Sequence, residues 1–210
     1  EILKSLPKTI HLSIVLSLIL FLGLFFGNDG FDFDRLFWSW LFRYFHVVAG
    51  IMWIGLLYYF NFVQVPAMAA ATADKDPGPA AIGKYVAPLA LLWFRWGAVV
   101  TWITGAAYLA HAGRFVSAFT LSSGDIVIGL GAWLGTIMLF NVWVLIWPNQ
   151  QKVLGMVPAT DEEKAHGKKV ALLASRTNTA LSIPMLLFMG ASHNSAALGL
   201  ATVSSYIFII

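Results

Sequence analysis

Five apolar runs, each long enough to cross the ~30 Å hydrocarbon core of a bilayer as a helix of about 20 residues, take up most of this sequence. They lie at roughly 9–26, 37–63, 87–111, 126–147 and 172–193. Backbone N–H and C=O groups in hydrocarbon must be satisfied inside the protein, and a helix does this within a single segment. The sequence therefore predicts an all-α, polytopic transmembrane bundle of 5–6 helices. The sixth run, Ala196 to Ile210, is short of a full crossing and reads as a partial helix. The first run is too long for the core of a signal peptide and lacks a small-residue cleavage site, so it should remain as a helix. Composition agrees: with 59% hydrophobic and 11% charged residues, a soluble domain of this size would have too little polar surface. Residues 1–210 read as one transmembrane domain.

Basic residues orient the bundle. One side receives Lys4, Lys8, Lys75, Lys84, Lys152, Lys164, Lys168, Lys169 and Arg176, the other only Arg35 and Arg114. The positive-inside rule then makes the N-terminus and the connectors 64–86 and 148–171 cytoplasmic, with the turn around Asn28 facing out. The net charge of +3 follows from that topology, and no nucleic-acid role is read into it. Within the second connector, Thr160 and Glu163 have the spacing of a helix N-cap and its capping-box partner. The glycines at 129, 131 and 135 fall in the fourth run, where small residues let helices approach closely. There is no cysteine, hence no disulfide, no thiolate metal site and no Cys-x-x-Cys-His attachment for a c-type haem.

Ionisable groups within the runs are few, and such groups normally face the bundle interior or a cavity. They are Arg43, His46 and Arg95, with His111 and His193 near the ends. On the second run His46, Gly50, Trp53, Leu57, Asn61 and Gln64 share one helix face; on the fifth, Asn178, Ser182, Met185, Met189 and His193 do the same. Each stripe runs from an amide near the cytoplasm to an imidazole near the outside. His46 lies nine residues, about 13 Å, inside the outer start of its run. Two imidazoles in the outer leaflet on antiparallel helices suit axial ligation of a b-type haem. In that reading His46 and His193 are the iron ligands, Arg43 pairs with a propionate, Gly50 leaves room for the macrocycle, Trp53 is its neighbour, and Met189 is the fallback ligand. The alternative is that each histidine bonds across helices. His111 is read as a boundary residue, and His11 and His166 as terminal or loop-borne.

A second polar group belongs to the cytoplasmic half: Asn61, Gln64, Arg95, Asn141, Arg176 and Asn178. An arginine among amides can bind an anion or heterocycle through its fork of donors, which makes Arg95, Asn141 and Asn178 the candidate catalytic set. It can equally clamp helix ends together.

Longer stretches of the chain, rather than single residues, carry a family likeness. Arg43-Tyr44-Phe45-His46-Val47-Val48-Ala49-Gly50-Ile51-Met52-Trp53-Ile54-Gly55, Asn141-Val142-Trp143 with Trp147-Pro148-Asn149-Gln150-Gln151-Lys152, and Ser175-Arg176-Thr177-Asn178 through Ser182-Ile183-Pro184-Met185 to Ser192-His193-Asn194 together resemble the N-terminal membrane domain of bacterial membrane-bound urate oxidase (urate hydroxylase). The resemblance covers roughly residues 37–195. It implies a multi-pass protein of the bacterial inner membrane, related to an oxidoreductase whose membrane domain precedes a cytochrome c domain. The family's histidines match His46 and His193, and its cytoplasmic His-Gly-Lys matches His166-Gly167-Lys168. A fainter similarity, limited to the second run, links the chain to small membrane haem-b protoporphyrinogen oxidases.

Two functional readings follow. The first is a membrane redox protein that binds haem b, takes electrons from a urate-like purine or a quinol, and passes them to a periplasmic acceptor such as a separate cytochrome c. The second is a non-catalytic accessory subunit of a larger respiratory, photosynthetic or monooxygenase complex, held by packing and membrane lipid. A solute transporter is disfavoured, since there is no internal repeat and no intramembrane carboxylate. The topology is directly testable because the chain has no native cysteine. Cysteines placed at Asn28 and Lys164 should react with an impermeant maleimide from opposite sides of the membrane, and labelling of both from outside would overturn the topology and move the histidines to the inner leaflet.

Overall fold

The computed structural model describes residues 2–27, 32–122 and 124–194, which fall into two compact units, Glu1–Trp38 and Ser39–Ile210. The run from Ala196 to Ile210 lies outside the described residues. Every regular element among those described is helical, and five helices are long and apolar enough to cross a membrane: Leu6–Leu24, Arg35–Asp74, Ile82–His111, Ile126–Val153 and Asp161–His193.

In the first unit, α1 (Leu6–Phe26) has Pro7 in its first turn, where the missing N–H costs no hydrogen bond. Its most apolar window buries no residue, as befits a helix whose solvent is lipid.

In chain order, the remaining elements are α2 (Arg35–Tyr59), α3 (Val65–Asp74), α4 (Ala87–His111), α5 (Phe115–Phe119), α6 (Ile126–Phe140), α7 (Trp147–Val153) and α8 (Asp161–His193). Three π-helical segments, Phe60–Gln64, Ile82–Val86 and Asn141–Ile146, join or precede them. All three have one cause. Pro66, Pro88 and Pro148 each stand two residues after such a segment. A proline ring would strike the carbonyl four residues back, and a widened turn relieves that clash. In each case the residue just before the proline donates five residues back: Val65 to Phe60, Ala87 to Ile82, and Trp147 to Val142. The rods therefore run on through their prolines, and helix occupies much of what the sequence suggested were connectors. Only short breaks remain in these connectors: one at 75–79, with Lys75 at φ 68° and Gly78 at φ 70°, and one at 154–160.

α8 starts at the capping box read from the sequence. The Glu163 N–H donates to Thr160 Oγ1 (3.2 Å), and the Thr160 N–H to Glu163 Oε2 (2.8 Å). Asp161, Glu162 and Glu163 fill its first turn, matching the positive end of the helix dipole. The core joins Trp53, Ile54, Leu57 and Phe60 to Leu91, Phe94 and Ala98 of α4, Met138, Val142 and Ile146 of the α6 rod, and Ala174 and Met185 of α8.

Glycine sets the closest approaches. A Cβ on Gly131 would lie 3.2 Å from Met189 Cε on α8. A Cβ on Gly129 would lie 2.1 Å from the Ala118 carbonyl oxygen, so only glycine lets the short helix α5 seat on α6. The α5–α6 turn is closed by Arg114, whose Nε donates to Asp125 (2.6 Å), and by the Ser117 hydroxyl, which donates to the same carboxylate. Gly129→Ala should therefore destabilise the protein by about 1–3 kcal/mol or more through overpacking. Gly135→Ala, where a Cβ meets nothing within 4 Å, should be tolerated. Thermal denaturation of the two variants in one detergent checks the contrast.

Candidate functional site

Near the C-terminal ends of α4 and α8, the helices α2, α4, α6 and α8 line a cavity of about 450 Å³, in which His46 is half-buried and His193 exposed. Its walls are mainly apolar, with Trp53 and Val47 on α2, Trp102 and Leu109 on α4, Ile128 and Ala132 on α6, and Met185 and Met189 on α8. Arg43, His46 and His193 are the basic groups in the lining.

His46 Nδ1 lies 2.7 Å from the Thr101 carbonyl oxygen. A carbonyl can only accept, so Nδ1 carries the proton and Nε2 keeps its lone pair. The ring fits because position 105 is glycine: a Cβ there would stand 2.8 Å from His46 Nδ1 and 2.9 Å from Cε1. The Thr101 hydroxyl turns away to the Gly97 carbonyl (2.7 Å). His193 repeats the pattern at the end of α8, where Nδ1 is 2.9 Å from the Met189 carbonyl and 3.2 Å from Ser192 Oγ. Donation to Met189 again leaves Nε2 as the free nitrogen. Two imidazoles in one apolar cavity, each with Nδ1 held on a carbonyl, form a pair of oriented nitrogen donors.

Tyr108 joins them at the outer edge. Its hydroxyl accepts from Arg43 Nη2 (3.1 Å), its ring lies beneath that guanidinium (5.0 Å to the centroid), and it stacks with the His193 ring (6.4 Å, 25°). At the inner end Trp53 is only 2% exposed, and its indole N–H has no hydrogen-bond partner.

Arg43, His46, Trp53, Met189 and His193, read from the sequence as one set, thus line one cavity. Gly50 is not among the lining residues; a Cβ there would make ordinary contact with the Thr101 methyl (3.7 Å). His111 sits outside the cavity with its ring against Phe42 (5.8 Å). His166 is exposed on α8, and the adjacent Gly167 is where α7 comes close, a Cβ there lying 3.1 Å from Asn149 Oδ1. Thr101, Gly105 and Tyr108 were not singled out in the sequence, although they share one face of the third run.

The inner polar residues divide into separate contacts. Asn141 Nδ2 donates to Asn178 Oδ1 (2.8 Å), and Asn178 Nδ2 donates to the Met138 carbonyl (2.9 Å). Asn61 Nδ2 donates to the Leu57 carbonyl and to Ser175 Oγ, and Tyr58 and Ser182 share a hydroxyl–hydroxyl bond. Arg95 stacks on the Trp147 ring at 3.6 Å. The Arg95, Asn141 and Asn178 side chains are not part of the histidine cavity lining, and the two asparagines tie the α6 rod to α8.

Fold and site define a polytopic helical protein with a histidine-bearing cavity between its membrane-length helices. Residues 112–210 match the family model described as urate oxidase N-terminal, which bears out over that stretch the resemblance read from the sequence. The matched stretch includes His193, Asn141 and Asn178, while His46, Arg43, Trp53 and Arg95 precede it. No curated protein and no solved structure matches the chain. Among the described residues no three His, Asp or Glu side chains are grouped to hold a metal ion, so the donors on hand are the paired imidazoles.

Because the Gly105 gap admits the His46 ring, Gly105→Ala should expel it and break the bond to Thr101. Nitrogen NMR of the labelled imidazole should show the loss of a protonated, hydrogen-bonded Nδ1, with Gly50→Ala leaving that signal in place.

Proposed function

We propose that the second unit is a membrane redox module that holds one b-type haem between His46 and His193. The observation that carries this reading is the pair of imidazoles on facing helices, both with Nδ1 on a backbone carbonyl and Nε2 uncommitted. The residues present fit the group: the walls are apolar, and Arg43 supplies a cation at the outer edge for a carboxylate. When bound, the iron would supply one-electron chemistry. Thr101 and Met189 would fix the ring orientations and raise the basicity of the free nitrogens. The Tyr108 ring would brace His193, and its hydroxyl would hold Arg43 over the cavity mouth. The apolar walls would exclude water, favouring a small reduced substrate, a urate-like purine or a quinol, as electron source. A periplasmic cytochrome c would be a fitting acceptor, given the depth of the cavity and the expected orientation in a bacterial inner membrane.

His46→Ala and His193→Ala should each abolish or severely weaken haem retention, whereas His111→Ala should leave it unchanged. The visible spectrum of protein purified from haem-replete cells checks this through the Soret band and the reduced α and β bands. A well-folded wild-type protein without these bands would overturn the reading in favour of an accessory subunit.

A further inference from the structure

Away from the histidine cavity, the seam between α4 and the α6–α7 rod carries a charge without a counter-charge. Arg95 is partly buried on α4, with one face of its guanidinium on the Trp147 ring at 3.6 Å, and it makes no hydrogen bond or ion pair among the described residues. Stacking satisfies the face of a guanidinium and leaves its in-plane N–H donors open. A cation in a membrane-length helix with open donors calls for an anion. Trp147 ends the apolar run of its rod and is followed by Pro148-Asn149-Gln150-Gln151-Lys152, so the stacked guanidinium reaches the polar edge of the membrane, as long basic side chains do by snorkelling.

Along the same seam lies an apolar groove of about 350 Å³, lined by Val99, Trp102, Thr136, Leu139, Phe140 and Trp143. Val99 is one turn beyond Arg95 on α4, and Trp143 one turn before Trp147 on the facing rod. The groove borders side chains that face the surroundings, Trp96 at 50% and Phe140 at 56% exposure. The Trp143 ring forms part of its wall, edge-on to Trp96 (5.5 Å between centroids, 78°).

We propose that this seam binds an anionic phospholipid, with its phosphate on Arg95 and one acyl chain along the groove. The head group supplies the acceptor that the guanidinium lacks, and the apolar walls take the chain. A free anion would use Arg95 and leave the groove without a role. The expected cytoplasmic placement of Arg95 is the side on which anionic lipid attracts basic residues. Nothing in this assignment depends on the haem.

The test uses delipidated protein in neutral detergent, with dioleoyl-phosphatidylglycerol, dioleoyl-phosphatidylcholine or inorganic phosphate added. Phosphatidylglycerol should raise the thermal midpoint and remain bound in native mass spectra, while phosphatidylcholine does so weakly and phosphate not at all. Arg95→Gln should weaken phosphatidylglycerol binding by about tenfold or more, the worth of a charge-assisted hydrogen bond. Val99→Trp, which fills the groove with the guanidinium untouched, should also weaken it, and decides the matter if Arg95→Gln does not fold. Equal stabilisation by phosphate would overturn the proposal in favour of a free-anion site. Undiminished phosphatidylglycerol affinity in both variants would exclude the seam.

Discussion

In hydrocarbon no water is at hand to complete a hydrogen bond, so each polar group in a membrane-length helix must find its partner within the protein. Hydroxyls on these helices largely return to their own backbone: Thr101 to Gly97, Thr104 to Val100, Thr136 to Ala132 and Thr179 to Ser175. The prolines obey the same constraint, since the π turns keep the rods bonded around Pro66, Pro88 and Pro148. The imidazoles obey it too. His46 and His193 each spend Nδ1 on a carbonyl, and the need to satisfy one nitrogen is what orients the other.

α8 transmits that order through the second unit. Its inner half is fixed by the bonds from Asn178 to Asn141 and Met138, with the Asn178 side chain fully buried. Its outer half is fixed by Met189 against Gly131. With both halves held against the same α6 rod, His193 has a set depth. α2 gains its own anchors to α8 through Tyr58–Ser182 and Asn61–Ser175. Hydrophobic burial gives little advantage between helices in lipid, so close packing at glycine and interhelical amide bonds carry the association. The asparagines are thus part of the frame that aligns the cavity walls.

The membrane-length helices were legible because their signal is length and apolarity, which no tertiary contact can override. Their extensions beyond the apolar runs were not. Ala67 to Ala73 is rich in alanine, the strongest helix former, yet the same small-residue composition also suits a connector. α5 has five residues, too few to show a period, and its place is set by Gly129 on another helix. The convergence of His46 and His193 could be read because helix periodicity puts each on an inward stripe. The residues that shape the cavity around them, Thr101, Gly105 and Tyr108, carry no charge and gave no reason to look. Arg95 was grouped by depth with the amides, but depth does not fix azimuth, and it meets Trp147 instead.

Four buried side-chain atoms among the described residues lack a hydrogen-bond partner: the indole nitrogens of Trp53 and Trp143, Asn61 Oδ1 and Gln64 Oε1. A buried N–H without an acceptor is a cost that a folded membrane protein has little reason to keep. Trp53 lies on the histidine cavity, while Trp143 lies on the groove beyond Arg95. They stand on different helices and belong to different seams, one lined by four helices and the other bordered by exposed apolar side chains. The proposed cofactor would occupy the first and the proposed acyl chain the second. The two proposals therefore rest on different seams, and the hydrogen-bond constraint that shapes the helices bears on each of them separately.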